Sequence, residues 1–270
     1  MLKNLVDYHT HTVRCGHAEG TMEEYVEAAI AAGLKEFGFS DHLPFYWSPE
    51  DQPDPTSSMA RHELEEYVAD VLRLRDRYRE IPIRLGIEAD YVPGYEEDLV
   101  NMLAPYPWDY VIGSVHIIGD WDFDNPAKVN RYADWDISEL YAKFFTLEIM
   151  AAKSGLFDVL AHIDLIKKFG HRPSHDLGRL YADVAETIAK NDVAIELSTA
   201  GLRKPVREVY PNPALLKECC DRGVPLILSS DCHAPGEVAW GFAEAANLAR
   251  QIGFTRTVRF EGRRRIYEPL

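Results

Sequence analysis

Asp7-Tyr8-His9-Thr10-His11 sets two imidazoles two residues apart, and a third histidine, His17, follows six residues later. Residues two apart on a strand point to the same side, so a strand entering this segment aims His9 and His11 at one place. Neutral imidazole is the commonest protein ligand for divalent transition metals. The same donor chemistry recurs along the chain at His42, Glu88, His116 and His162, and at the pair Asp231 and His233. These donors are too many for one ion, because a catalytic zinc takes three protein ligands and a water. They suit two or three divalent ions, with a carboxylate such as Glu88 or Asp231 able to bridge. Mixed imidazole and carboxylate sets accept zinc, iron, manganese or cobalt, so the element stays open.

The elements that must hold these donors alternate in type. Apolar runs predict strands over 5–8, 36–40, 82–87, 110–115, 157–161, 193–197 and 225–229. Between them, helical periodicity predicts helices over 59–78, 96–103, 138–154, 177–190 and 212–222, with a last one over 237–251. A first helix opens at Thr21 with Glu24 completing a capping box, and Gly33 ends it. The stretch 43–58 carries Pro44, Pro49, Pro53 and Pro55 and reads as a long loop. The aromatic and acidic segment 118–136 reads as a second excursion, and 255–267 as a basic hairpin-like tail whose Arg263-Arg264-Arg265 run is either solvated or packed against the acidic barrel.

Strands alternating with helices imply a parallel sheet. Because the donors fall at strand ends, the expected architecture is one domain over 1–270, an α/β fold closed into a seven-stranded parallel barrel. In such barrels the carboxyl ends of the strands converge on the face that carries active sites. His9 and His11 follow the first strand, His42 the second, Glu88 the third, His116 the fourth, His162 the fifth, and Asp231 and His233 the seventh. The sixth strand end offers no obvious metal ligand.

The bulk properties narrow the partners. A formal net charge of −15 disfavours nucleic acid and anionic membrane surfaces, while leaving room for a small anionic substrate met by local cations. No apolar run is long enough to span a bilayer, and the first residues leave no room for a signal peptide. The four cysteines show no C-x-x-C spacing, which fits a reducing cytoplasm better than a disulfide framework. No Gly-x-Ser-x-Gly, Gly-x-Gly-x-x-Gly or Walker loop is present, so covalent serine chemistry and nucleotide cofactors lack support. Oligomeric state is left open.

The motifs D-Y-H-T-H-T, S-D-H, G-I-E-A-D-Y, S-V-H, A-H-I-D and S-S-D-C-H together resemble the polymerase-and-histidinol-phosphatase (PHP) superfamily. The segments S-T-A-G-L-R-K and H-T-V-R-C-G-H are most similar to its stand-alone histidinol-phosphate phosphatases. That resemblance implies a distorted seven-stranded β/α barrel with a trinuclear metal site. It implies a first metal on His9, His11, Glu88 and Asp231, a second on Glu88, His116 and His162, and a third on His17, His42 and His233. Asp41 would support the cluster or ligate occasionally. The implied reaction is hydrolysis of L-histidinol phosphate by metal-activated hydroxide, with zinc, iron or manganese as the ions. Arg203 would bind the phosphate bidentately and act with Asp231 and His233 in catalysis, while Lys204, Lys168 and Ser198 would be further substrate contacts. The alternatives are a related phosphoesterase for nucleotides or other small esters, a metal-binding module without turnover, and an amidohydrolase acting on C–N bonds.

Overall fold

The structure is a computed structural model that describes residues 2–270. Its strands are β1 (Val6–Asp7), β2 (Glu36–Phe39), β3 (Ile83–Asp90), β4 (Tyr110–Ser114), β5 (Ile117–Ile118), β6 (Trp121–Asp122), β7 (Val159–Leu160), β8 (Ala194–Ser198), β9 (Leu226–Ser229), β10 (Arg256–Glu261) and β11 (Arg264–Pro269). Its α-helices are α1 (Met22–Ala32), α2 (Glu63–Arg77), α3 (Glu96–Leu103), α4 (Ile137–Ser154), α5 (Gly178–Lys190), α6 (Pro213–Asp221) and α7 (Phe242–Ile252). One seven-stranded sheet runs β1-β2-β3-β4-β7-β8-β9, with every neighbour parallel.

Local chemistry explains where the helices begin and end. The Thr21 hydroxyl accepts the Glu24 N–H, while the Glu24 carboxylate accepts the Thr21 N–H at 2.6 Å, and Gly33 closes α1 with φ +73°. Asp136 caps α4 by accepting from the Ser138 and Glu139 amides. Asn212 caps α6 in the same way, with Pro213 in the first turn where its missing N–H costs nothing.

The sheet closes on itself at the carboxyl ends of β1 and β9. Beyond the named strands, Thr10 and Cys232 form a parallel bridge. The His11 amide donates to the Cys232 carbonyl at 3.0 Å, and the Cys232 amide donates to the His9 carbonyl at 3.3 Å. Asp7 reinforces this seam, its carboxylate accepting from the Ser230 amide, the Ser230 hydroxyl and the Ala239 amide. The closing contacts therefore lie among the candidate metal donors.

The barrel interior is filled by Tyr8, Tyr110, Ile112, Val159 and Ile227, and Tyr8 and Tyr110 stack with ring centroids 4.7 Å apart. Gly86 makes room for that filling, since a Cβ there would come within 2.1 Å of the Tyr110 ring. Val258 and Phe260 of the antiparallel β10–β11 hairpin complete this inner cluster. Of the two readings of the basic tail, packing against the barrel is the one the fold adopts, and the hairpin forms a plug. Its charges find partners on the body: Arg259 reaches Glu36 at 2.9 Å, Arg263 reaches Asp158 at 2.5 Å, and Arg265 reaches Asp192 at 2.6 Å.

Three further elements differ from the periodicity reading. The last helix begins at Phe242 rather than near 237, because Ala239 and Gly241 adopt left-handed φ values of +55° and +71° and interrupt the turn. Segment 118–136 folds into the β5–β6 hairpin and a 3₁₀ run over Pro126–Asp134, with Trp121, Phe123 and Tyr132 buried. β3 extends through Asp90, so Glu88 lies inside the strand, opposite Ile112 of β4, and not beyond its end. Loop 43–58 has neither helix nor strand, as its prolines predict. No helix among the described residues is long and apolar enough to cross a membrane.

Candidate metal centre

The nine candidate donors converge on the face formed by the carboxyl ends of the seven strands. Donor atoms of His9, His11 and Asp231 lie within 4.8 Å of one another, and so do those of His9, Glu88 and His162, of His11, His42 and Glu88, and of His17, His42 and His233. Glu88 is the hub. One of its oxygens is 2.9 Å from His42 Nδ1 and 3.2 Å from His9 Nε2; the other is 3.2 Å from His162 Nε2 and 3.8 Å from His116 Nε2. His11 Nε2 stands 3.1 Å from Asp231. His17 is exposed at the mouth, whereas His9 and His11 are buried.

Two of these positions carry backbone strain. His162 and Asp231 adopt φ +28° and +47°, a region that non-glycine residues rarely enter and that costs of order 1–3 kcal/mol each. At Asp231 this turn follows β9 directly and lets both Asp231 and His233 face His11.

Supporting residues fix the rings. Glu196, fully buried in the middle of β8, lies 2.8 Å from His9 Nδ1 and accepts the His162 amide at 2.9 Å with its other oxygen. Asp90 lies 2.9 Å from His116 Nδ1. A carboxylate can only accept, so Nδ1 of His9 and of His116 carries the proton and Nε2 is the free lone pair. Asp41 accepts the Thr12 hydroxyl, the Thr12 amide at 3.1 Å and the His42 amide at 2.8 Å, which places it as a support for the cluster. Neither Glu196 nor Asp90 is among the residues that the sequence singles out. The available signal was a lone acid inside the apolar strand V-A-I-E-L.

The electrostatics call for cations. His9 Nε2 is buried without a hydrogen-bond partner among the described residues, yet it faces Glu88 at 3.2 Å and Asp231 at 3.8 Å. A lone pair held against carboxylates is repulsive unless a proton or a metal ion sits between them. Glu88 Oε2, His162 Nδ1 and His233 Nε2 are likewise buried and unpartnered among the described residues. The donor set thus fits divalent metal ions. The titration behaviour agrees in sign. Burial opposes a charged His9, but Glu196, Glu88 and Asp231 outweigh it and raise its pKa well above the usual value. Burial likewise opposes a charged His116, while Asp90 and Asp124 hold it at about 10. His17, by contrast, although its edge reaches solvent at the mouth, is pushed down to about 4 by the protein packed around the rest of its ring and by His42 and His11. Against their own burial, Glu88 and Asp231 are held well below the ordinary carboxylate range by the neighbouring histidines.

A cavity of about 780 Å³ opens onto the cluster, walled by loop 43–58 with Phe45 and Trp47 and by the segment around Asp122 and Asp124. Lys168 and Lys204 reach this wall, Lys168 paired with Asp124 at 3.0 Å. The other two predicted substrate contacts lie behind it. Arg203 Nη2 donates to the Ser230 and Asp231 carbonyls and its Nε faces Glu237 at 3.0 Å, so it braces the Asp231 turn. Ser198 is fully buried at the end of β8, where its hydroxyl accepts the Ala200 amide at 3.3 Å.

Comparison with known proteins agrees with this picture. The PHP domain matches residues 7–200. A protein of Deinococcus radiodurans named probable histidinol-phosphatase is 42% identical over 265 residues, covering 97% of this chain and 99% of its own. The histidinol-phosphatase of Bacillus subtilis is 29% identical over 270 residues, covering 90% of this chain and 98% of its own. The crystal structure of histidinol phosphate phosphatase from Lactococcus lactis, complexed with zinc, L-histidinol and phosphate, superposes with a TM-score of 0.83 over 97% of this chain and 99% of that one, at 22% identity. That likeness establishes the shared barrel. With the profile and the 42% relative both spanning most of its length, the chain belongs to the PHP domain family.

Proposed function

We propose that this chain is a metal-dependent phosphomonoesterase that converts L-histidinol phosphate and water to L-histidinol and phosphate. The observation that carries the reading is the convergence of imidazoles on the Glu88 hub beneath a cavity large enough for a small phosphate ester, in a chain 42% identical to a protein named for this activity. Two or three divalent ions would be held by His9, His11, Glu88 and Asp231, by Glu88, His116 and His162, and by His17, His42 and His233. Zinc is favoured by the company of the Lactococcus lactis enzyme, with iron and manganese as the other candidates. Bound there, such ions neutralise phosphoryl charge and make water a nucleophile near neutral pH.

The chain's own residues do the positioning. Glu196 and Asp90 hold His9 and His116 in the tautomer that presents Nε2 to the centre. Arg203 clamps the turn that carries Asp231 and His233. Lys204 and Lys168 add positive charge at the wall where a phosphoryl group would enter. The Phe45–Trp47 pair and the acids of the opposite wall enclose the rest of the ligand and suit a cationic, imidazole-bearing alcohol. Four free cysteines, two of them beside donors, fit a reducing compartment, and the cytoplasm is the proposed location.

Phosphate release from histidinol phosphate, nucleotides and p-nitrophenyl phosphate, each with and without a chelator, tests the proposal. Chelator-sensitive turnover that prefers histidinol phosphate is expected. Turnover that is strongest on nucleotides, or absent from every ester, would overturn it.

A further inference from the structure

Tyr210 carries a polar group with no assignment in the foregoing scheme. Its backbone is pinned to the end of β8 by two hydrogen bonds: the Ser198 amide donates to the Tyr210 carbonyl at 2.7 Å, and the Tyr210 amide donates to the Ser198 carbonyl at 3.0 Å. The ring meets His162 edge-on at 6.4 Å, and the Lys167 ammonium lies 5.3 Å from its centroid. Lys167 is itself buried and immobilised, paired with Asp164 at 2.7 Å and donating to the Val209 carbonyl at 2.7 Å.

Gly201 keeps the slot open. A Cβ at that position would fall 2.0 Å from the Glu208 carbonyl oxygen and 2.9 Å from Tyr210 Cε2. A glycine in the S-T-A-G-L-R-K segment is therefore needed to seat this aromatic ring.

The hydroxyl at the end of that fixed ring is buried and has no hydrogen-bond partner among the described residues. Buried hydroxyls are almost always paired, because an unmade bond is costly. A phenylalanine would fill the same slot without that cost. The residue also lines the cavity together with His162, Asp231, Lys168 and Lys204. Burial, with Asp164, Asp231 and Asp124 nearby, pushes its pKa up, so the group stays a donor throughout the working range.

We infer that the Tyr210 hydroxyl donates a hydrogen bond to a phosphoryl oxygen of the bound ester and of the inorganic phosphate product. The inference rests on the phosphomonoesterase reading. It adds a neutral donor to the anion site on the side of β8, where Lys168 and Lys204 supply the charge. A rigid, uncharged donor fixes the orientation of a phosphoryl group that the point charges of two ammonium groups only attract.

The test compares metal-loaded wild type with Tyr210→Phe by calorimetric titration of inorganic phosphate and by kcat/KM on histidinol phosphate and p-nitrophenyl phosphate. Metal content and melting temperature are measured in parallel. Tyr210→Phe is expected to keep both, to bind phosphate about tenfold more weakly, and to lose kcat/KM by about the same factor on both esters. Unchanged phosphate affinity overturns the inference. So does a loss confined to histidinol phosphate, which would move the hydroxyl to the leaving alcohol. Should the variant fold poorly, Tyr210→Leu, which removes the hydroxyl with a smaller side chain, replaces it; phosphate affinity equal to wild type in that variant overturns the inference too. If wild type binds phosphate but cleaves no ester, the functional reading fails while the phosphate titration still decides the role of Tyr210.

Discussion

His9 Nδ1 lies 2.8 Å from one oxygen of Glu196, and the other oxygen of that carboxylate accepts the backbone N–H of His162 at 2.9 Å. One buried side chain on β8 thus sets both the ring orientation of a donor following β1 and the backbone of a donor following β7. Glu196→Ala frees the His9 ring and leaves the His162 amide unpaired. Its metal affinity is expected to fall by about ten- to a hundredfold, measured by competition with a chromogenic chelator. Glu196→Gln, which still offers an acceptor, loses less. Equal affinity in wild type and Glu196→Ala would sink the assignment.

The barrel seam and the metal centre share residues, so removal of ions has a structural consequence. The bonds that close the sheet join His9, His11 and Cys232. Ions at a hundred times their dissociation constant contribute about 2.7 kcal/mol to stability. For a chain of this size that corresponds to a drop of roughly 5 °C or more on chelation. Hydrogen exchange is expected to quicken first at the His11 and Cys232 amides while α5 keeps its protection. Uniform loss of protection across the chain would contradict a seam held by the centre.

Glu36 organises the opposite mouth of the barrel. Its carboxylate accepts from the Tyr8 hydroxyl at 2.7 Å, from Arg84 at 2.9 and 3.1 Å, and from Arg259 of the β10–β11 plug at 2.9 Å. Glu36→Ala removes the closest carboxylate of Arg84 and one of the two that hold Arg259, which keeps Glu268 at 2.8 Å, and is expected to cost roughly 1–3 kcal/mol in urea unfolding. Because this network sits at the far end of the strands, kcat on the preferred ester should stay near wild type. A large loss of kcat in a folded Glu36→Ala protein would show that the plug communicates with the site.

Glu148 is buried in α4 with both carboxylate oxygens unpartnered among the described residues, and burial raises its pKa well above 4.5. The folded state therefore holds a proton that the unfolded chain has released. Stability relative to Glu148→Gln should be flat below pH 4.5 and then fall by about 1.4 kcal/mol per pH unit until the folded-state pKa is passed. Melting temperatures of the two proteins at pH 5 and pH 8, taken at one metal concentration, check the sign. Wild-type stability that holds level or rises relative to Glu148→Gln between pH 5 and pH 8 would refute a neutral Glu148.

Much of this protein was legible before any fold was known, because strand and helix periodicities are local. The spacing of His9 and His11, the capping box of Thr21 and Glu24, and the prolines of 43–58 each act within a few residues, and the structure follows them. Placement of the donors at strand ends was a topological inference from the same pattern, and it brought them to one face because parallel strands share a direction.

Tertiary structure decided what depends on neighbours distant in sequence. Glu196 looks like an isolated acid in an apolar run until folding carries it across 187 positions to His9. The arginines of the C-terminal tail read either as solvated or as packed on an acidic barrel until Asp158, Asp192 and Glu36 are placed beside them. Arg203 carries the right chemistry for phosphate, yet the Asp231 turn offers it carbonyls first. Periodicity determines which residues share a face of one element. Which carboxylate a given imidazole or guanidinium meets is set by how those faces pack, and only the closed barrel determines that.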